Sequence, residues 1–219
     1  MENADLKNAE FSKKLAATNG FTYGVRMPII RSIAREVCKD DWRGFLRATP
    51  ENYDELLVMG IVIASARMDV EERLALTKGF LPHINSWGVC DIFCSTWKEK
   101  DERSRGLLWN YCMELIKSGD EFPMRVGSIL MLANFIDEEY IERVLDVHST
   151  AYHDGYYFKM GSAWTLSMCY VKFPEKTEKT LFCDTLDVWI RNKTIQKIRE
   201  SYRIDQESKD RLKEKKDRM

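Results

Sequence analysis

No apolar run in this chain of 219 residues comes near the roughly 20 needed to cross a bilayer. The opening Met1-Glu2-Asn3-Ala4-Asp5 lacks both the basic and the apolar region of a signal peptide. These two absences lead to the expectation of a cytoplasmic protein with no membrane partner. Prolines number only 5, and no stretch is rich in Pro, Gly or Ser, so residues 1–219 read as a single domain without a linker. The 3 histidines, His83, His148 and His153, belong to no HExxH, and there is no GxSxG elbow or cysteine with an evident partner base, which argues against acyl-transfer hydrolysis. GxxxxGK[ST] and GxGxxG are also missing, so nucleotide-driven chemistry has no support and no cofactor is expected.

An excess of positive charge is lacking too. With 34 Lys and Arg against 35 Asp and Glu, the net charge is −1, and any nucleic-acid site has to be a local patch. From Arg191 to Met219 there are eleven Lys or Arg against six Asp or Glu, which is a basic tail or equally a solvated terminal helix. The 6 cysteines form no CxxC pair and lie in apolar helical patterns, so they read as small buried hydrophobes without disulfides. A metal site built on Cys90, Cys94 and His83 would lack a fourth ligand, and no metal is expected.

What the chain has instead is apolar spacing of three and four almost throughout, with no alternating β-branched run, which predicts an all-α fold. Pro28 opens a helix to about Val37, and a long apolar helix runs from Tyr53 to Met68. Asp69 with Glu72 reads as a capping box for a helix to about Phe80, and Ser86 as the cap of the next. Further helices are expected over Glu102 to Lys117, Phe122 to Phe135, Glu138 to His153 (stopped by Gly155), Tyr156 to Val171, Thr177 to Trp189 and Lys193 to Tyr202. Phe173-Pro174-Glu175-Lys176 reads as a loop, and the charged segment from Asp205 as a fraying end.

About twelve helices arriving in pairs every 35 to 40 residues match the scale of HEAT or armadillo repeats. A HEAT-like helical repeat solenoid would present a concave surface to an extended ligand. No self-similar sequence is evident, so a globular helical bundle is the alternative.

Trp87 and Asp91, four residues apart, place an indole and a carboxylate on one helical face, a pairing suited to a cation. Arg125 and Trp164 also fall at helical positions, so a cleft holding two indoles, one carboxylate and one guanidinium is the candidate site. Each residue has a plainer reading. Tryptophan on a helix is usually core, as expected for Trp42, Trp97, Trp109 and Trp189; Asp91 alone is a solvated charge, and Arg125 alone pairs with Glu121 or a neighbouring helix. Arg26 and Arg31, near a helix start, and Lys193 and Lys197, one turn apart, are second-rank candidates for DNA phosphate contact.

Several of these segments together carry a resemblance. Phe11-Ser12-Lys13-Lys14-Leu15, Gly24-Val25-Arg26-Met27-Pro28 with Arg31, Ser86-Trp87 with Asp91, Met124-Arg125, Trp164-Thr165-Leu166 and Lys193-Thr194-Ile195-Gln196-Lys197-Ile198 occur in the order seen in the AlkD-type DNA alkylation repair glycosylases. The chain resembles that family, which is built from HEAT-like repeats, over nearly its whole length. The resemblance implies action on double-stranded DNA with alkylated bases, and a HEAT-like domain of this size is expected to work as a monomer. It would hydrolyse the glycosidic bond of N3-methyladenine or N7-methylguanine without flipping the base. It also implies that Asp91, Trp87 and Trp164 are catalytic and that Arg125 holds the DNA backbone.

Two departures accompany it. About two dozen residues precede Gly24, fewer than in the well-known active members, and Thr165-Leu166-Ser167-Met168 stands where active relatives often place Arg and Glu. They point to a divergent branch, and to the alternative of a weak or inactive paralogue that binds DNA or protein.

Overall fold

A computed structural model of the chain describes residues 4–15 and 21–217. Of the stretches discussed above, Met1 to Asn3, the side chains of Lys14 and Leu15, and Arg218 and Met219 lie outside the described residues. Among those residues every regular element is helical, with thirteen α-helices, one 3-10 turn and no strand. The chain divides into two compact units, Met1–Tyr111 and Cys112–Met219, with the boundary inside one helix.

The first unit contains α1 (Leu6–Leu15), α2 (Met27–Lys39), α3 (Trp42–Phe45), α4 (Tyr53–Ser65), α5 (Val70–Phe80), a 3-10 turn (Leu81–His83), α6 (Trp87–Thr96) and the start of α7 (Glu102–Ile116). Its centre is α4, in which every residue from Leu57 to Ala64 is buried, because α2 and α6 pack against it. Each apolar side chain fully buried there contributes about 1.5–3 kcal/mol. Asn52 caps α4 by accepting from the Glu55 amide at 3.0 Å, while its own side-chain amide donates to the Glu55 carboxylate at 2.7 Å.

The apolar pattern extends to Met68, yet α4 stops at Ser65. Arg73, 9% exposed on α5, explains the early stop: it donates to the carbonyls of Ala64 and Ala66, the second at 3.1 Å, and so satisfies the end of α4 from outside. The Asp69 cap is formed as expected, with its carboxylate accepting from the Glu72 amide at 2.7 Å.

The second unit holds the end of α7 and then α8 (Glu121–Asn134), α9 (Ile141–Thr150), α10 (Tyr156–Lys172), α11 (Pro174–Leu181), α12 (Val188–Glu200) and α13 (Gln206–Asp217). Here α10 is central and touches α8, α9, α11 and α12. Three boundaries differ from the sequence reading. Helix α9 is confined to Ile141–Thr150, because the Asp137 carboxylate ties the Tyr140 amide into a preceding turn at 3.1 Å. Gly155, expected to stop α9, is instead the N-cap of α10, where a side chain would collide with the Glu121 carboxylate at 2.4 Å. Pro174 begins α11 and lies in no loop, as its fixed φ and missing N–H suit a first helical turn.

The helix expected over Thr177 to Trp189 is broken in two, and the cause is the device seen at the end of α4. Arg191, 7% exposed on α12, donates to the carbonyls of Leu181 at 2.7 Å and Cys183 at 2.8 Å. Asp187 caps α12 through the Ile190 amide at 2.8 Å. The same letters recur at both places, Asp69-Val70-Glu71-Glu72-Arg73 and Asp187-Val188-Trp189-Ile190-Arg191: a capping Asp, then an Arg four residues on that closes the preceding helix. The segment from Asp205, expected to fray, forms α13. Its Leu212 is fully buried, and Glu178 receives Arg211 at 3.1 Å.

The core of the second unit also contains polar groups. His148 on α9 is fully buried between hydroxyls, with Ser162 Oγ 3.0 Å from Nδ1 and Ser128 Oγ 3.5 Å from Nε2. Ser128 Oγ lies 3.0 Å from Thr165 Oγ1, so α8, α9 and α10 are joined by one hydrogen-bonded chain. Burial holds the imidazole at about 4, well below its ordinary value, so it is neutral near pH 7.

Candidate functional site

In the first unit, Ser86 is fully buried and caps α6 by accepting from the Val89 amide at 3.3 Å, which fixes Trp87 in the first turn. The half-buried indole lines a cavity of about 250 Å³ together with Phe11, Met27, Tyr53, Leu57 and Ile92. Asp91 lies one turn further along α6 and is also half-buried. Its charge reaches the Tyr53 phenol at the start of α4. Burial above all, then the charges of Asp54 and Asp91, push that phenol up to about 12, so it is a neutral donor at ordinary pH.

The rim of this cavity is held by a second carboxylate, which the sequence reading did not single out. Asp54, 5% exposed, accepts from Thr22 Oγ1 at 2.8 Å, from the Tyr23 amide at 2.7 Å and from the Val25 amide at 2.9 Å. These bonds fasten residues 21–25 to α4, and α1 rests on them in turn. Asn8 Nδ2 donates to the Gly24 carbonyl at 2.6 Å, and the Asp5 amide donates to the Tyr23 carbonyl at 2.9 Å. Gly24 has φ 73°, and a Cβ there would meet Ala9 N and Asp5 O at 2.3 Å, so backbone freedom and close approach both require glycine.

Arg26 is the N-cap of α2; its guanidinium is largely exposed and bridges to Asp5 at 2.9 Å, at the edge of the same cavity. Arg31 is exposed on the outer face of α2. Aromatic walls with a carboxylate one turn away suit a flat or cationic group: the rings offer electron-rich faces and Asp91 a fixed negative charge.

The remaining residues predicted from the sequence lie in the second unit. Arg125 on α8 is 5% exposed and donates from Nη1 to the Tyr157 carbonyl at 2.6 Å. It lies across the start of α10, where a Cβ on Gly161 would come within 3.3 Å of its Cγ. Trp164 is half-buried on α10 and lines a cavity of about 240 Å³ with Ser167, Met168, Lys197 and Ser201. Thr165 and Leu166 turn into the core, and Ser167 bonds back to the Trp164 carbonyl at 2.7 Å.

Lys193 bonds Gln196 at 2.8 Å, and its ammonium stands 5.8 Å from the Trp189 ring centre. Trp42, Trp97 and Trp109 are buried as expected, but Trp189 is only half-buried and lines a further cavity. All six cysteines are free, with Cys90 and Cys94 fully buried, and among the described residues no cluster of metal-ligating side chains forms.

Two features escaped the sequence reading. The Tyr53 and Asp54 pair looked like an ordinary helix start, and only the return of residues 21–25 shows its use. Trp189 and Arg199 share α12, and Lys216 joins their pocket only when α13 folds back on that helix. Among the described residues no helix is long and apolar enough to cross a membrane.

A search of curated proteins gives no match, and neither does a search of solved structures. The family model described as DNA alkylation repair enzyme matches residues 1–179, which include α6 with Trp87 and Asp91, α8 with Arg125 and α10 with Trp164. With most of the chain matched, the protein belongs to the DNA alkylation repair enzyme family.

Proposed function

We propose that the protein is a DNA glycosylase that removes cationic alkylated purines, N3-methyladenine and N7-methylguanine, from double-stranded DNA, working as a monomeric HEAT-like domain over residues 1–219. The observation that carries the reading is the Trp87 and Asp91 pair on α6 beside an aromatic cavity, within the family match. An N-alkylated purine already bears positive charge, so its C1′–N bond is weak and the base leaves with the bonding electron pair. No acid is needed for its departure. The sugar is left as an oxocarbenium-like cation, which the Asp91 carboxylate stabilises while orienting the water that attacks C1′ and loses its proton.

Trp87 supports the cation through its ring face, worth about 0.5–2 kcal/mol, so the carboxylate is the larger contributor. The catalytic role of Trp164 and the backbone-holding role of Arg125 rest on the resemblance. Arg26, Arg31, Lys193 and Lys197 supply phosphate contacts. The reading is tested by incubating the native protein with methylated duplex DNA and measuring the free bases. Release of either base is the expected result, and retention of both contradicts it.

One observation favours a second reading, a non-catalytic module that binds DNA or protein. Arg125 is buried and already engaged by the Tyr157 carbonyl, which leaves its guanidinium less available to a phosphate. A salt titration of binding to undamaged duplex separates the forms of that alternative, because only phosphate contacts weaken steeply with salt.

A further inference from the structure

The second unit carries a basic, aromatic pocket beyond the residues matched by the family. It has a volume of about 390 Å³ between α12 and α13 and is lined by Trp189, Asn192, Lys193, Gln196, Arg199 and Lys216, with Ile195 at its floor. Three cations and two amides line it, with no carboxylate among its described lining residues. Two acids of α12 and its cap bond within their own helix: Asp187 caps the Ile190 amide at 2.8 Å, and Glu200 accepts from Gln196 at 2.8 Å. A concavity of one sign, in a chain whose net charge is −1, favours an anion locally.

The pocket also stands at the end of a row of rings. Phe122 stacks on Tyr157 with centres 5.1 Å apart, Tyr157 meets Tyr156 at 5.5 Å, and Tyr156 meets Trp189 at 6.0 Å. Tyr156 is 58% exposed and Val188, beside Trp189, is 62% exposed, so the row is not merely core packing. An aromatic row of one exposed and three half-buried rings, leading to a pocket of three cations, has the chemistry that holds unpaired nucleotides, with bases on rings and phosphates on cations. Duplex DNA, whose bases are stacked inward, uses only the second half of that chemistry.

We propose that the α12–α13 pocket and the ring row bind an unpaired nucleic-acid strand, with a phosphate between Lys193, Arg199 and Lys216 and a base against Trp189. The site needs no alkylated base, so its test does not depend on excision. Anisotropy of a labelled, undamaged oligo(dT) with the full chain is expected to show binding at low salt that weakens as salt rises. The log–log slope should be about −0.7, the value for the one phosphate held between these cations. Replacing Lys193, Arg199 and Lys216 together by Ala is expected to weaken binding about tenfold or more and to flatten the slope.

Trp189→Leu is expected to lose about fivefold or more, the usual scale for one stacked base. Because Trp189 is half-buried, Arg199→Glu and Lys216→Glu, both at exposed positions, carry the test if that variant fails to fold. Absence of binding at low salt, or binding unchanged in the triple variant, overturns the proposal. Adenosine monophosphate or inorganic phosphate binding as tightly as the oligonucleotide also overturns it, by reducing the site to a pocket for a small anion.

Discussion

The two units use one structural device for different ends. In the first, Arg73 closes the C-terminal end of α4, and the polar groups Tyr53 and Asp54 at its start gather with Asp91 at or near a cavity walled by rings. In the second, Arg191 closes α11 in the same way, but the polar groups are either sealed in the core around His148 or spread over an outer face as Trp189, Lys193 and Arg199. The carboxylate proposed to face a cation is in the first unit, and the basic pocket beside Trp189 is in the second. The proposed chemistry of Asp91 and the proposed strand-binding pocket thereby fall in different units.

The shared device is the place to break both units. Arg73→Met and Arg191→Met each strand two carbonyls at or just past a helix end, and unfolding by denaturant is expected to show a loss of about 2–4 kcal/mol for each. Arg73 should show the larger loss, since its removal also leaves Glu99, 3.7 Å away and 14% exposed, without its buried partner. Equal, small losses would mean that the recurrence is one of letters only.

Acidity should separate the units. An imidazole held at about 4 in the fold and near 6.5 when unfolded contributes its full stability above about pH 6.5. Below that the unfolded chain takes up a proton that buried His148 refuses, and stability falls until about pH 4, where both states are protonated. The total is about 3 kcal/mol, and the loss belongs to the second unit. Urea midpoints of the native protein and His148→Gln at pH 7.5 and pH 5 check this, and the variant is expected to show the shallower dependence.

The smallest expected effect tests the rim of the first unit. Gly24→Ala places a side chain against the backbone of α1 at a positive φ, with an expected loss of about 1–2 kcal/mol. Hydrogen exchange should speed up in α1 and leave α10 unchanged.

Much of this was legible in the letters. The helical periodicity, the caps at Ser86 and Asp69, and the Trp87 to Asp91 spacing are local properties, and local spacing survives folding. Helix ends were harder: α4 and α11 stop where an arginine nine or ten residues ahead takes their carbonyls, and apolar periodicity carries no trace of that. The repeated Asp-Val-x-x-Arg was nonetheless there to be seen. Exposure was the least legible, because nothing in the spacing of Arg125 or Trp189 says that the first is buried and the second faces a basic pocket.

The most direct test of the division between the units is the rate at which Asp91→Asn releases methylated purines from duplex DNA, set beside the native protein. The variant keeps the shape and removes the charge. A fall of about a hundredfold or more, with duplex binding unchanged, is the predicted result. Equal rates for the two proteins, or no release by either, would contradict the placing of the chemistry at Asp91.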